Sequence, residues 1–301
     1  MRLGLNSITI RQAPTLRDRI AIAAHCGYEE VELWMHEVAP ASLTEADRRE
    51  AFSRYGARVD ADANGVVSTL EATRKSGIEV AGVCLPTHAA VSWHDSIDPA
   101  VLESLHRTIE VCAELSGQYV IMPMLGEEGT PARTADNLAK VAEHAARYGV
   151  RIGFEPVGHV RKCARIGEAL EVLERAGAPE HTGLILDLFH FFRAGQSPAD
   201  LEGLPVEKVL AVHLNDAMDL PREQLLGHRD RVYPGQGIFD ARGFTQGLAR
   251  AGYRGRYVVE ILNPAYWTEP AERIAETAFG AAAALFAESA PSEAPRQGAT
   301  T

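Results

Sequence analysis

Short apolar runs alternate with longer amphipathic stretches along almost the whole chain. The runs Leu3–Ile8, Glu30–Trp34, Glu79–Leu85, Tyr119–Met124, Arg151–Glu155, Thr182–Asp187, Val209–Leu214 and Arg256–Ile261 have the length of buried strands. Between them, Leu16–Cys26, Val101–Leu115, Ala135–Tyr148, Ile166–Arg175 and Phe244–Ala251 carry apolar residues at helical spacing. Several amphipathic stretches stop on a glycine suited to a helix C-terminus: Gly27, Gly77, Gly149 and Gly252. Helix, glycine stop and buried strand, repeated about eight times, predict a parallel sheet with crossover helices.

Such repetition in one uninterrupted chain favours a single (β/α)8 TIM barrel of the α/β class over an open doubly wound sheet. The Gly-x-Gly-x-x-Gly fingerprint of a dinucleotide fold is absent, since Ser7-Ile8-Thr9-Ile10-Arg11 follows the first strand. No linker or compositional shift precedes residue 288. The expected barrel domain is therefore 1–287, with the small, polar, Pro-rich 288–301 expected as a disordered tail.

Composition narrows the functional classes. No apolar run approaches the roughly 20 residues of a membrane helix, and MRLGLNSITI lacks the pattern of a secretory signal. Cys26, Cys84, Cys112 and Cys163 form no Cys-x-x-Cys pair, so a reducing cytoplasm is expected rather than a zinc ribbon or disulfide framework. The net charge of −11, with basic residues dispersed among acids, disfavours nucleic acid and leaves a small molecule as the expected partner. A homo-oligomer is compatible with all of this.

Barrel active sites lie at the C-terminal ends of the strands. The last four strands end in Glu155, Asp187, His213 and Glu260. Any one of these alone would more often be a helix cap or an ion-pair partner. Four in succession, each after an apolar strand, point to one shared divalent ion. The oxygen-rich set suits Mn²⁺ first, with Mg²⁺, Co²⁺ or Zn²⁺ as alternatives. Around it, His190, three residues past Asp187, and Arg231, in the long loop after the seventh strand, are candidate substrate contacts. His88 and Trp34 are further candidates for the pocket wall. His106 and His144 fall in helical stretches and are expected at the surface.

Glu155-Pro156-Val157-Gly158-His159, the run Gly183 to Phe191 with Asp187-x-x-His190, and Asp230-Arg231-Val232-Tyr233-Pro234-Gly235-Gln236-Gly237 together resemble the sugar phosphate isomerase/epimerase superfamily. These are the xylose isomerase-like TIM barrels. Within it the same segments, and Val259-Glu260-Ile261-Leu262-Asn263-Pro264, are similar to the 2-keto-myo-inositol (inosose) isomerases. The resemblance implies that Glu155, Asp187, His213 and Glu260 bind the metal, that the two glutamates also accept protons, and that His190 and Arg231 hold substrate oxygens. The strand-three exit, Leu85-Pro86-Thr87-His88, departs from the isomerase pattern. A trinuclear nuclease of the same superfamily is disfavoured, because Val232 stands where that enzyme has a histidine.

The expected chemistry is isomerisation or epimerisation of a keto-sugar or inosose through a metal-stabilised enediolate, with paired glutamates shuttling the proton. If the neighbouring carbon bears a leaving group, the same intermediate predicts a dehydratase or lyase, acting on an inosose, a keto-sugar or a 3-keto-glycoside. A non-catalytic sugar-binding barrel is the third reading.

Overall fold

The computed structural model describes residues 1–43, 65–85, 97, 99–124 and 130–287. His88 and the expected tail at 288–301 lie outside the described residues. The strands in chain order are β1 (Arg2–Asn6), β2 (Glu30–Trp34), β3 (Glu79–Cys84), β4 (Tyr119–Met124), β5 (Arg151–Pro156), β6 (Thr182–Asp187), β7 (Val209–Leu214), β8 (Asp216–Ala217), β9 (Arg231–Val232) and β10 (Arg256–Val259). All except β8 and β9 close into one parallel barrel in the order β1-β10-β7-β6-β5-β4-β3-β2. The helices are α1 (Leu16–His25), α2 (Met35–Val38), α3 (Val66–Ser76), α4 (Pro99–Glu114), α5 (Pro131–Ala146), α6 (Ile166–Ala176), α7 (Leu188–Arg193), α8 (Ala241–Arg250) and α9 (Ala271–Phe286). Among the described residues, no helix is long and apolar enough to cross a membrane.

The glycine stops are real. Gly27, Gly77, Gly149 and Gly252 all have positive φ, between 67° and 95°, where a side chain would be strained. At the other end of α1, Thr15 and Asp18 form a capping box. The large apolar core packs helices against the outside of the barrel, with Leu33, Val83, Phe154 and Leu184 fully buried in it. A smaller cluster including Tyr119, Ile121, Ile185 and Ala211 fills the inside.

Three strands stop earlier than expected, while β1 starts one residue sooner and β5 runs on to Pro156. Ile8 is not in β1, because Asn6 accepts a hydrogen bond from the Ile8 N–H and turns the chain into a 3₁₀ helix at Ser7–Ile10. Likewise β3 stops at Cys84 and β10 at Val259, before Leu85 and Ile261. The sequence pattern also missed α2, α7, α9 and the antiparallel pair β8–β9, in which Ala217 opposes Arg231, and it signalled α3 only by the stop at Gly77.

Candidate active site

Each candidate ligand ends up at the barrel mouth for a local reason. Glu155 and Asp187 occupy the last turns of β5 and β6, His213 the end of β7, and Glu260 the residue after β10. All four are buried. Asp187 also caps a helix: one oxygen accepts the His190 N–H at 3.0 Å and starts α7. Its other oxygen turns to the cluster, where it accepts from Asn215 Nδ2 at 3.0 Å and Arg231 at 2.7 Å.

One ligand atom from each of Glu155, Asp187, His213 and Glu260 lies within 4.8 Å of all the others. His213 Nδ1 has no hydrogen-bond partner, although the ring is fully buried. It stands 3.5 Å from Glu155, 3.7 Å from Asp187 and 3.4 Å from Glu260. Those gaps are too long for good hydrogen bonds. They match the edge of a coordination tetrahedron with bonds of about 2.1 Å, roughly 3.4 Å. The residues therefore fit a divalent ion: three hard oxygens and an unsatisfied imidazole nitrogen face a common centre.

Electrostatics follow from burial and the surplus of carboxylates. Burial pushes Glu155 up to about 7, against the pull of His213. Burial works the same way on Asp187, but Arg231 first and His213 after it outweigh burial and hold that carboxyl well below the usual range. Glu260 is also lowered, its burial offset by His213 and Arg231. For His213, burial favours the neutral ring, yet Glu32 and Glu260 raise it well above its ordinary value. His190 goes the other way. Burial, reinforced by Arg231, lowers it to about 3 and keeps it neutral.

Arg231 does not pair with its neighbour Asp230, which instead takes Arg229 at 3.2 Å. The β8–β9 hairpin folds Arg231 back into the cluster. Its NH1 reaches both Asp187 and Glu260 at 2.7 Å, and its Nε donates to the Gly227 carbonyl at 2.8 Å. Its NH2 lies 3.4 Å from His190 Nε2. A guanidinium only donates, so His190 Nε2 accepts and its hydrogen sits on Nδ1, which is unpartnered.

Above the cluster opens a cavity of about 480 Å³ whose walls include Trp34, Glu155, His159, His190, Arg231 and Glu260. The Trp34 indole N–H is committed to Asn6 at 2.7 Å, leaving the ring to serve as wall. His106 and His144 stack on each other at 3.7 Å on α4 and α5, away from the mouth. Asn6 and Asn215 were missed by sequence reasoning, and Glu32 was legible only as a residue ending the second strand, with no role assigned to it. A buried polar residue at an inward strand position was the available signal for Glu32.

A closed eight-stranded barrel with a buried carboxylate–histidine cluster at the C-terminal mouth defines the class of α/β-barrel proteins whose site could hold a divalent metal. The chain belongs to the xylose isomerase-like TIM barrel family, which matches residues 20–284. It is 33% identical over 177 residues to an inosose isomerase of Halalkalibacterium halodurans, covering 56% of this chain and 62% of that protein. It is 35% identical over 176 residues to a 3-dehydroshikimate dehydratase of Pseudomonas aeruginosa, covering 56% of this chain but 27% of that protein. Among solved structures, the zinc-bound IolI protein superposes with a TM-score of 0.77 at 23% identity, over 95% of this chain and 98% of that one. The chain thus spans less than two thirds of the length of these two curated relatives.

Proposed function

We propose that this barrel is a divalent-metal-dependent isomerase or epimerase of a keto-sugar or inosose. The observation that carries the reading is the convergence of Glu155, Asp187, His213 and Glu260 around the unsatisfied His213 Nδ1, beneath an open cavity. Those four residues would hold the ion, with manganese the proposed metal. When bound, it supplies a Lewis acid that stabilises negative charge on a ketone oxygen.

The remaining chemistry belongs to the chain. Glu155 and Glu260 flank Asp187 and His213 on either side of the cluster, in the strand order β5-β6-β7-β10. One can take the proton from the carbon next to the ketone while the other returns it. Return to the same carbon is epimerisation, and return to the former carbonyl carbon is isomerisation. His190 and Arg231, which both line the cavity, are the proposed donors to substrate oxygens. Trp34 supplies an apolar wall.

The dehydratase relative supports a second reading, elimination from a ketone by the same proton abstraction. Incubation with inososes, ketohexoses and 3-keto-glycosides in D₂O, followed by NMR, tests both. Deuterium uptake at the carbon next to the ketone is expected, with a rearranged product for the isomerase. An unsaturated product would establish elimination, and no exchange with any metal-loaded substrate mixture would defeat both.

A further inference from the structure

Beneath the candidate ligands lies a fourth carboxylate that no step above uses. Glu32, on β2, is fully buried, and three side chains from three other strands converge on it. The direction of every hydrogen bond there can be worked out. The Trp34 indole and the Ile8 backbone are donors only, and both contact Asn6 Oδ1, at 2.7 and 3.2 Å. Asn6 Nδ2 must therefore face the other way, donating to Glu32 at 3.0 Å and to Glu260 at 3.1 Å. The Tyr119 hydroxyl donates to Glu32 at 2.7 Å. Its ring fits because residue 82 is glycine; a Cβ there would stand 2.5 Å from it. The third partner is His213 Nε2, 3.0 Å from one Glu32 oxygen and 3.2 Å from the other.

A carboxylate already receiving an amide and a hydroxyl leaves Nε2 as the nitrogen that carries hydrogen. Once a cation displaces the ring's other proton, Nδ1 offers the lone pair, and Nδ1 is the atom facing the cluster. We propose that Glu32 is the positioning residue for His213. It keeps the hydrogen on Nε2, aims Nδ1 at the cation and, through Asn6, steadies one oxygen of Glu260. This rests on the metal reading of the site. Partners of this kind on a metal-ligating histidine are worth about 10–100-fold in metal affinity.

The test is a zinc titration of the whole protein against a chromophoric chelator, for the wild type, Glu32→Gln, His213→Ala and the double variant. Glu32→Gln should weaken zinc by about 10–100-fold with an unchanged circular dichroism spectrum. In the His213→Ala background the same substitution should cost less than about threefold, because the route through the imidazole is gone. In the zinc-loaded wild type, ¹⁵N-histidine NMR should show His213 with hydrogen on Nε2 and metal at Nδ1; this readout needs no variant to fold. Unchanged zinc affinity in Glu32→Gln, the same loss with and without His213, or metal at Nε2 would each overturn the proposal while leaving the metal reading standing. A wild type that binds no zinc would remove both.

Discussion

The two ends of the barrel both bury carboxylates, and among the described residues only one of them is short of cations. At the N-terminal end, Glu30 is enclosed by Arg2 at 2.8 Å and Arg256 at 3.2 Å, and Arg2 also takes Glu79 at 2.8 Å. Arg151 and Arg254 line the same opening. At the C-terminal end, Glu32, Glu155, Asp187 and Glu260 share one guanidinium, Arg231, and one imidazole, His213. The contrast runs within single strands. Arg151 and Glu155 lie on one face of β5, while Glu30, Glu32 and Trp34 lie on one face of β2, as the two-residue period requires. Burial of charge alone therefore does not mark a site. Two guanidiniums close over Glu30, whereas an acidic surplus aimed at an unsatisfied nitrogen could hold a cation.

The sharpest way to separate the ends is to remove the metal. Chelation with EDTA should abolish turnover while the circular dichroism spectrum persists, since the apolar core packs independently of the mouth. Unfolding on chelation would make the acidic end structural, like the basic one.

A smaller effect is expected from single carboxylates. Glu260→Gln and Glu155→Gln, each compared at saturating metal, should slow deuterium exchange at the substrate carbon by at least about 10²-fold. If both hold metal and exchange at the parent rate, the paired-glutamate shuttle is wrong and His190 becomes the base to examine.

Glu30→Gln should do the reverse, leaving zinc affinity unchanged and lowering stability. The loss should be about 2 kcal/mol, roughly 30-fold in the folding equilibrium. That is below the 3–5 kcal/mol typical of a broken buried pair, because Arg2 is 36% exposed and can turn to water, and because burial, only partly offset by Arg256 and Arg2, already holds Glu30 above the ordinary carboxylate range. Urea unfolding measures it. A matching loss of zinc affinity would show that the ends are not independent.

The gentlest probe is pH. Glu155, pushed up to about 7, and His213, raised well above its ordinary value, both hold protons in the metal-free fold that a cation must displace. A carboxyl raised on folding costs stability as pH rises towards its folded value. Binding the ion removes that cost. Zinc affinity should thus climb from pH 6 to 8 by up to about tenfold per unit for each proton displaced. A flat profile at the mouth would mean that these groups do not face the ion.

The sequence by itself determined the barrel and the likeness of its four strand ends. Repeated units with glycine stops specify parallel strands, and a closed parallel barrel necessarily brings Glu155, Asp187, His213 and Glu260 to one mouth. Adjacent strands made that prediction local. What surrounds the cluster was decided only by tertiary structure. Arg231 reaches Asp187 because a hairpin returns it from a long loop, and nothing in the spacing announces that return. Glu32 meets His213 across 181 residues, and Asn6 meets Glu260 across 254. Such contacts depend on barrel closure and on the inward pleat of β1 and β2, so they exist only once the first strand pairs with the last.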